Sequence, residues 1–231
     1  MPATGADAAE IKVLCSGAMR PALEELAPQF ERATQHKLTI AYVGTNVIRN
    51  RVLGGEVIDV VILAGPALDE VIKQGKLAAK VDLVRSGVGV GVRTGSPRPD
   101  LTSADAFKRA LLAAKSFARS EGPSGVYIEA LLARMGIADA MKAKTVVVRG
   151  RLVGDALVKG QAEIGVQQIS ELKSVPGVDV LPMPAEIQHV TVFSSGLSAA
   201  SNDSEAVQAL IKFLTSPVAA PVIKAKGLDP A

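Results

Sequence analysis

Three short stretches of this 231-residue chain combine small residues with a hydroxyl or an amide: Ser16-Gly17-Ala18, Gly44-Thr45-Asn46 and Pro123-Ser124-Gly125. Each glycine lets backbone come close to a ligand, and Ser16, Thr45, Asn46 and Ser124 can each donate a hydrogen bond. Donors of this kind suit a small anion when they sit at a helix start, where N–H groups are free and the dipole is positive. Any one of the loops alone also reads as an ordinary N-cap at a tight turn. Their recurrence at three strand-to-helix joints strengthens the anion reading.

Other reactive side chains leave two readings each. Arg20 follows the first loop and is either a partner for a carboxylate or a solvated first-turn residue. Arg149 and Arg151 flank Gly150 ahead of a helix; an arginine reaching a ligand there would hold a carboxylate in bidentate fashion, and otherwise both lie at the surface. The single cysteine, Cys15, ends an apolar strand, where it is a reactive thiol at a helix start or a small buried hydrophobe. The two histidines, His36 and His189, complete no nucleophile–base–carboxylate signature. No His or carboxylate cluster has metal-ligand spacing, and the glycines at 87–91 lack the following helix of a dinucleotide fingerprint. Neither a metal nor a cofactor is expected.

The elements that must carry these loops alternate strand and helix. Strands are expected at Ile11–Cys15, Leu38–Tyr42, Asp59–Leu63, Val84–Val92, Ser116–Ala118, Val146–Val148, Ile164–Gln167, Val178–Leu181 and Val190–Phe193. The first helix is opened by Pro21 and shows Leu23, Leu26 and Phe30 on one face. Further helices are expected at Val47–Leu53, Ala67–Lys73, up to Ala114 from a cap at Ser103 or Asp105, Val126–Met135, Leu152–Lys159, Ser204–Leu214 and Pro217–Lys226. This order predicts an α/β protein with mixed, mainly parallel sheets. No long linker divides the chain, which argues for interleaved lobes.

Composition narrows the function classes. The chain is 48% hydrophobic and carries a net charge of +3, with scattered Lys and Arg. Without a basic stripe, and with five Phe, two Tyr and no Trp, nucleic-acid binding and ring-lined sugar clefts are not expected. No apolar run reaches the ~18 residues of a membrane span. The N-terminus lacks a basic head and an apolar stretch and reads like the stub left after signal removal.

The chain resembles the molybdate-binding-protein-like solute receptors. The run Ile11-Lys12-Val13-Leu14-Cys15-Ser16-Gly17-Ala18-Met19, with the helix Leu23–Phe30 after it, is similar to their start. Gly54-Gly55-Glu56 leading into Asp59-Val60-Val61-Ile62 resembles their AGxPADVVI segment, and Gly122–Tyr127 resembles their PAGxY helix start. Ala162-Glu163-Ile164-Gly165-Val166 and Ile211–Pro217 match their AELGI and FLxSPEAA segments. The resemblance implies a type II periplasmic-binding fold, with lobe I at residues 1–85 plus 190–231 and lobe II at 86–189, joined by a two-strand hinge.

It also implies a monomer that closes on a small anion in an interlobe cleft and presents it to ABC transporter membrane subunits from the periplasm. Carried over by position, the ligand donors are Ser16, with Gly17 and Ala18 in the same loop, then Thr45, Asn46, Ser124, Gly125 and the Val153 backbone. Arg20 and Gln168 complete the candidate set. Two positions depart from the family: Gln168 stands where a Tyr is usual, and the first loop reads Ser-Gly-Ala-Met rather than Ala-Ser-Leu-Thr. The ligand classes left open are molybdate, tungstate and a small carboxylate. The alternative function is an isomerase or lyase acting on a small carboxylate, in the cytoplasm, with Cys15, Gln167 and Gln168 near its site.

Overall fold

The computed structural model describes residues 8–198, 201 and 204–231; residues 1–7, most of the expected cleavage stub, lie outside them. The chain forms two compact units. Unit 1 comprises Met1–Val84, Phe193–Ala225 and Pro230–Ala231, and unit 2 comprises Arg85–Val192 and Lys226–Asp229.

Unit 1 opens with β1 (Glu10–Cys15), α1 (Arg20–Thr34), β2 (Lys37–Tyr42), α2 (Thr45–Leu53), β3 (Val60–Ala64) and α3 (Gly65–Lys73). β1 lies between β2 and β3 and pairs in parallel with both. Strands covered on both faces must be apolar throughout, and β3 meets this with Val60-Val61-Ile62-Leu63-Ala64, all buried. Leu14, Ile48, Val61, Leu63 and Leu68 pack into one cluster between sheet and helices. The expected Leu23, Leu26 and Phe30 stripe is the buried face of α1. Phe30, fully buried, contributes roughly 2–3 kcal/mol by leaving water; its ring meets Phe213 of α9 (Glu205–Leu214) at 5.7 Å. A shorter helix, α10 (Ala220–Ala225), follows; the expected start at Pro217 is instead a turn.

Two long strands, β4 (Leu77–Arg93) and β9 (Val190–Ser198), run through both units. β4 begins seven residues before the expected Val84. Its first part alternates buried and exposed residues, the period-two pattern of a half-covered strand, with Lys80 and Asp82 on the open face masking the apolar signal.

Unit 2 contains α4 (Ala104–Ala113), β5 (Phe117–Ser120), α5 (Pro123–Arg134), α6 (Ala138–Lys142), β6 (Thr145–Val148), α7 (Val153–Val158), β7 (Ile164–Gln168), α8 (Ile169–Lys173) and β8 (Val178–Pro182). A two-residue strand, β10 (Asp229–Pro230), ends the fold. β5 lies between β6 and β7 in parallel, while β4 pairs antiparallel with β7 and with β8. The sheets are thus mixed and the protein is α/β, as the order of elements predicts. The five-residue helices α6 and α8 escape sequence reading because one turn shows no periodicity. At α4 the cap is Ser103, whose hydroxyl accepts from the Ala106 N–H at 3.0 Å.

Two glycines are dictated by contact. A Cβ at Gly125 would sit 1.7 Å from the Ser120 carbonyl oxygen, so the first turn of α5 lies directly on β5. One at Gly165 would meet Val153 Cγ1 at 2.5 Å, so β7 needs a bare backbone beneath α7. Backbone cannot yield as a side-chain tip can, so Gly125→Ala should lower unfolding free energy in urea by about 1–3 kcal/mol or more, with an unchanged m-value.

Candidate anion-binding sites

In parallel α/β sheets, ligands lie beyond the carboxyl ends of strands. At that edge of unit 1 the register sets Cys15 beside Tyr42 on one side and Ile62 on the other. The chain leaves β1 at Ser16. Its N–H donates to the Ile62 carbonyl at 2.8 Å, and its own carbonyl accepts from the Met19 N–H at 3.3 Å and the Cys15 thiol at 3.2 Å. Its hydroxyl is different: Ser16 is 4% exposed, and Oγ has no hydrogen-bond partner. It is the one buried side-chain polar atom in that state among the described residues, and leaving such a group unmet costs about 1–3 kcal/mol. Gly17, Ala18 and Met19 form a single tight turn, with Ala18 and Met19 buried, that delivers the chain into α1.

Arg20 is the first residue of α1. Its Nε donates to Glu24 Oε1 at 2.7 Å, and its guanidinium carbon lies 5.3 Å from the centre of the Tyr42 ring. Tyr42, half-buried, ends β2, and Gly44 caps α2. Thr45 and Asn46 therefore occupy the first turn of α2, whose N–H groups every helix leaves without intrahelical partners. Glu24, one turn along α1, is engaged by Arg20. Cys15 is fully buried and burial pushes its thiol up. A reactive thiolate needs the opposite, so Cys15 is a packing residue.

Unit 2 presents a second carboxyl edge, built from β5, β6 and β7. Ser124 and Gly125 lie in the first turn of α5. The Ser124 hydroxyl faces that of Ser120 at 3.3 Å, and Ser120 Oγ also receives the Gly122 N–H at 3.3 Å. The Val153 N–H at the start of α7 donates to Gln167 Oε1 at 2.7 Å, so it is held by the protein's own amide. Arg149 pairs with Glu121 at 2.7 Å and Arg151 donates to Gln161 at 2.7 Å; both are exposed.

The consecutive glutamines of β7 project to opposite faces, as strand geometry requires. Gln168 is buried; its amide oxygen accepts from Thr191 Oγ1 at 3.0 Å, and its nitrogen donates to Ser86 Oγ at 3.0 Å and the Gly87 carbonyl at 3.2 Å. It therefore ties β7 to β4 and β9. Gln167 holds Val153 with its oxygen and donates to Glu171 of α8, whose carboxylate also accepts the Gln168 N–H. Burial pushes the Glu171 carboxyl up to about 7, against which these two hydrogen bonds work. Of the histidines, His36 accepts the Ala9 N–H at 3.2 Å, and His189 stacks on Tyr127 at 4.5 Å. Tyr42 and Glu171 were missed in the sequence. Tyr42 carried a usable signal, as one of only two tyrosines and the last residue of a strand; Glu171 looked like any first-turn acid.

The order of strands and helices and the mixed pairing of the sheets are those of the type II periplasmic-binding fold. The chain belongs to the bacterial extracellular solute-binding protein family, whose pattern matches residues 11–229. It is similar to a Pseudomonas protein named aconitate isomerase, 38% identical over 229 residues, 95% of this chain and 87% of that one. It is also similar to the molybdate-binding protein of Azotobacter vinelandii, 26% identical over 239 residues, 97% of this chain and 92% of that one. A solved structure of the periplasmic molybdate-binding protein of A. vinelandii superposes with a TM-score of 0.79 at 19% identity, over 94% of this chain and 98% of that one, which shows a common fold.

The Glu171 network carries a pH dependence. Between about pH 4.5 and about 7 the folded chain holds more of this proton than the unfolded chain. Its contribution is therefore full at low pH and is lost as pH rises through 7. The Tm of the wild type, compared with Glu171→Gln, should fall behind progressively from pH 5 to pH 8, by the equivalent of roughly 1–3 kcal/mol. Parallel curves for the two proteins would show that Glu171 titrates normally.

Proposed function

We propose that this protein is a receptor for a small anion, captured by neutral donors at the carboxyl edge of unit 1 in the periplasm and passed to ABC-type membrane subunits. The observation that carries this reading is the buried, unpartnered hydroxyl of Ser16. A protein gains nothing by burying a donor it cannot use, and an anion oxygen at that position would recover the cost. Thr45 and Asn46, with the first-turn N–H groups of α2, stand at the same edge to share the charge. In unit 2 the first turn of α5, at Ser124 and Gly125, offers backbone N–H donors, with the Ser124 hydroxyl shared with Ser120.

A small carboxylate fits better than molybdate. The tyrosine usual in molybdate receptors is replaced by Gln168, which is spent on the crossing strands, and the relative at 38% identity bears the name of an enzyme of a tricarboxylate. That relative favours a second reading, in which the bound carboxylate is also isomerised. Such a reaction removes a proton from one carbon of an allylic system and returns one to another, with the double bond moving and no net redox change. It requires a group beside the ligand that exchanges a proton near neutral pH.

A thermal-shift panel tests the receptor reading. Molybdate, tungstate, sulfate, phosphate and mono-, di- and tricarboxylates would each be added at millimolar concentration. A small carboxylate should raise the Tm by several degrees, and Ser16→Ala should remove most of the rise. A flat response across the panel would refute the receptor. Loss of cis-aconitate with gain of trans-aconitate, followed by proton NMR, would establish the second reading.

A further inference from the structure

Unit 1 holds a second group of donors close in the fold to Ser16. Arg20 uses only Nε on Glu24. Its Nη1 and Nη2 donate to no group among the described residues, and its guanidinium lies over the Tyr42 ring. The side chain is 55% exposed, so a ligand can reach it. The Tyr42 hydroxyl likewise makes no hydrogen bond among the described residues. The register places all of these together: Cys15 pairs with Tyr42, Ser16 follows Cys15, and the Val43 N–H returns to the Cys15 carbonyl at 3.1 Å.

We infer that Arg20 and Tyr42 form a second carboxylate subsite beside Ser16, so that the ligand carries at least two carboxylates. This rests on the reading of unit 1 as an anion site. The argument is one of shape and preorganisation. An arginine fork meets a carboxylate with two parallel N–H donors. The fork is useful only if its rotamer is fixed before binding. Here two contacts fix it: Glu24, one turn along α1, holds Nε, and the Tyr42 face holds the guanidinium plane. The side chain therefore loses little freedom on binding. Tyr42 adds a hydroxyl donor at the end of the same strand pair. Ser16 and the first turn of α2 take one carboxylate, and Arg20 with Tyr42 takes the other.

The test is isothermal titration of the full chain with tricarballylate, a saturated tricarboxylate that cannot turn over, and separately with molybdate. The proteins compared are the wild type, Arg20→Gln, Arg20→Lys and Tyr42→Phe. The wild type should bind tricarballylate more tightly than molybdate. Arg20→Gln should weaken tricarballylate about 10- to 100-fold. Arg20→Lys, which keeps the charge and loses the fork, should fall between, and Tyr42→Phe should cost less. Circular dichroism and Tm without ligand should be unchanged for Arg20→Gln, because the side chain is exposed. If the wild type binds tricarballylate and Arg20→Gln binds it within threefold, the subsite is wrong and the anion site stands. If only molybdate binds, the subsite is again overturned and the anion site survives. If neither binds, and Ser16→Ala has the same silent profile, the anion reading itself falls.

Discussion

Parallel pairing of β1 with β2 and β3 is the constraint on which the rest of unit 1 depends. It brings Cys15, Tyr42 and Ile62 into line, so that the loops after β1 and β2 leave the sheet side by side. One residue of slip would turn every side chain of β1 to the opposite face. The apolar run of β3 and the Leu14–Leu63 cluster resist that slip. Ser16 is thus held by its own backbone bonds, to Ile62 and Met19, while its hydroxyl remains unspent. Rigid backbone with an uncommitted side chain is the arrangement a binding site needs.

Unit 2 uses the same geometry differently. Its strand-end donors are engaged by neighbours: Ser124 by Ser120, Val153 by Gln167, and Gln168 by Ser86, Gly87 and Thr191. The adjacent glutamines divide two tasks. Gln168 ties β7 to the long strands that run through both units, and Gln167 links α7 to the Glu171 carboxylate of α8. A tyrosine at position 168 could not make this set of bonds, since a phenol offers one O–H where the amide presents two N–H donors and a carbonyl. The departure from the molybdate receptors is thereby given a structural consequence.

Much of this was legible in the sequence. The alternation of strands and helices, the strands expected at Asp59–Leu63 and Ile164–Gln167, and the Leu23, Leu26 and Phe30 stripe indicated the fold, because burial imposes their periods. The loops at Ser16, Thr45 and Ser124 stood out because strand ends and helix starts have a chemistry of their own. What could not be read were properties that depend on distant partners. The need for glycine at position 125 comes from the Ser120 carbonyl beneath it. Val153 looked like a free donor until Gln167, fourteen residues on, took its N–H. The placement of Arg20 over Tyr42 crosses from α1 to β2, and the rise in the Glu171 carboxyl comes from burial that no local pattern encodes.

The central claim is that the Ser16 hydroxyl awaits an anion. The most direct measurement is a crystal structure grown in saturating tricarballylate. A carboxylate oxygen within hydrogen-bond distance of Ser16 Oγ, with the first turn of α2 facing the same group, is the predicted result. A bound anion elsewhere, with the Ser16 hydroxyl still unpartnered or turned to another protein atom, would contradict it.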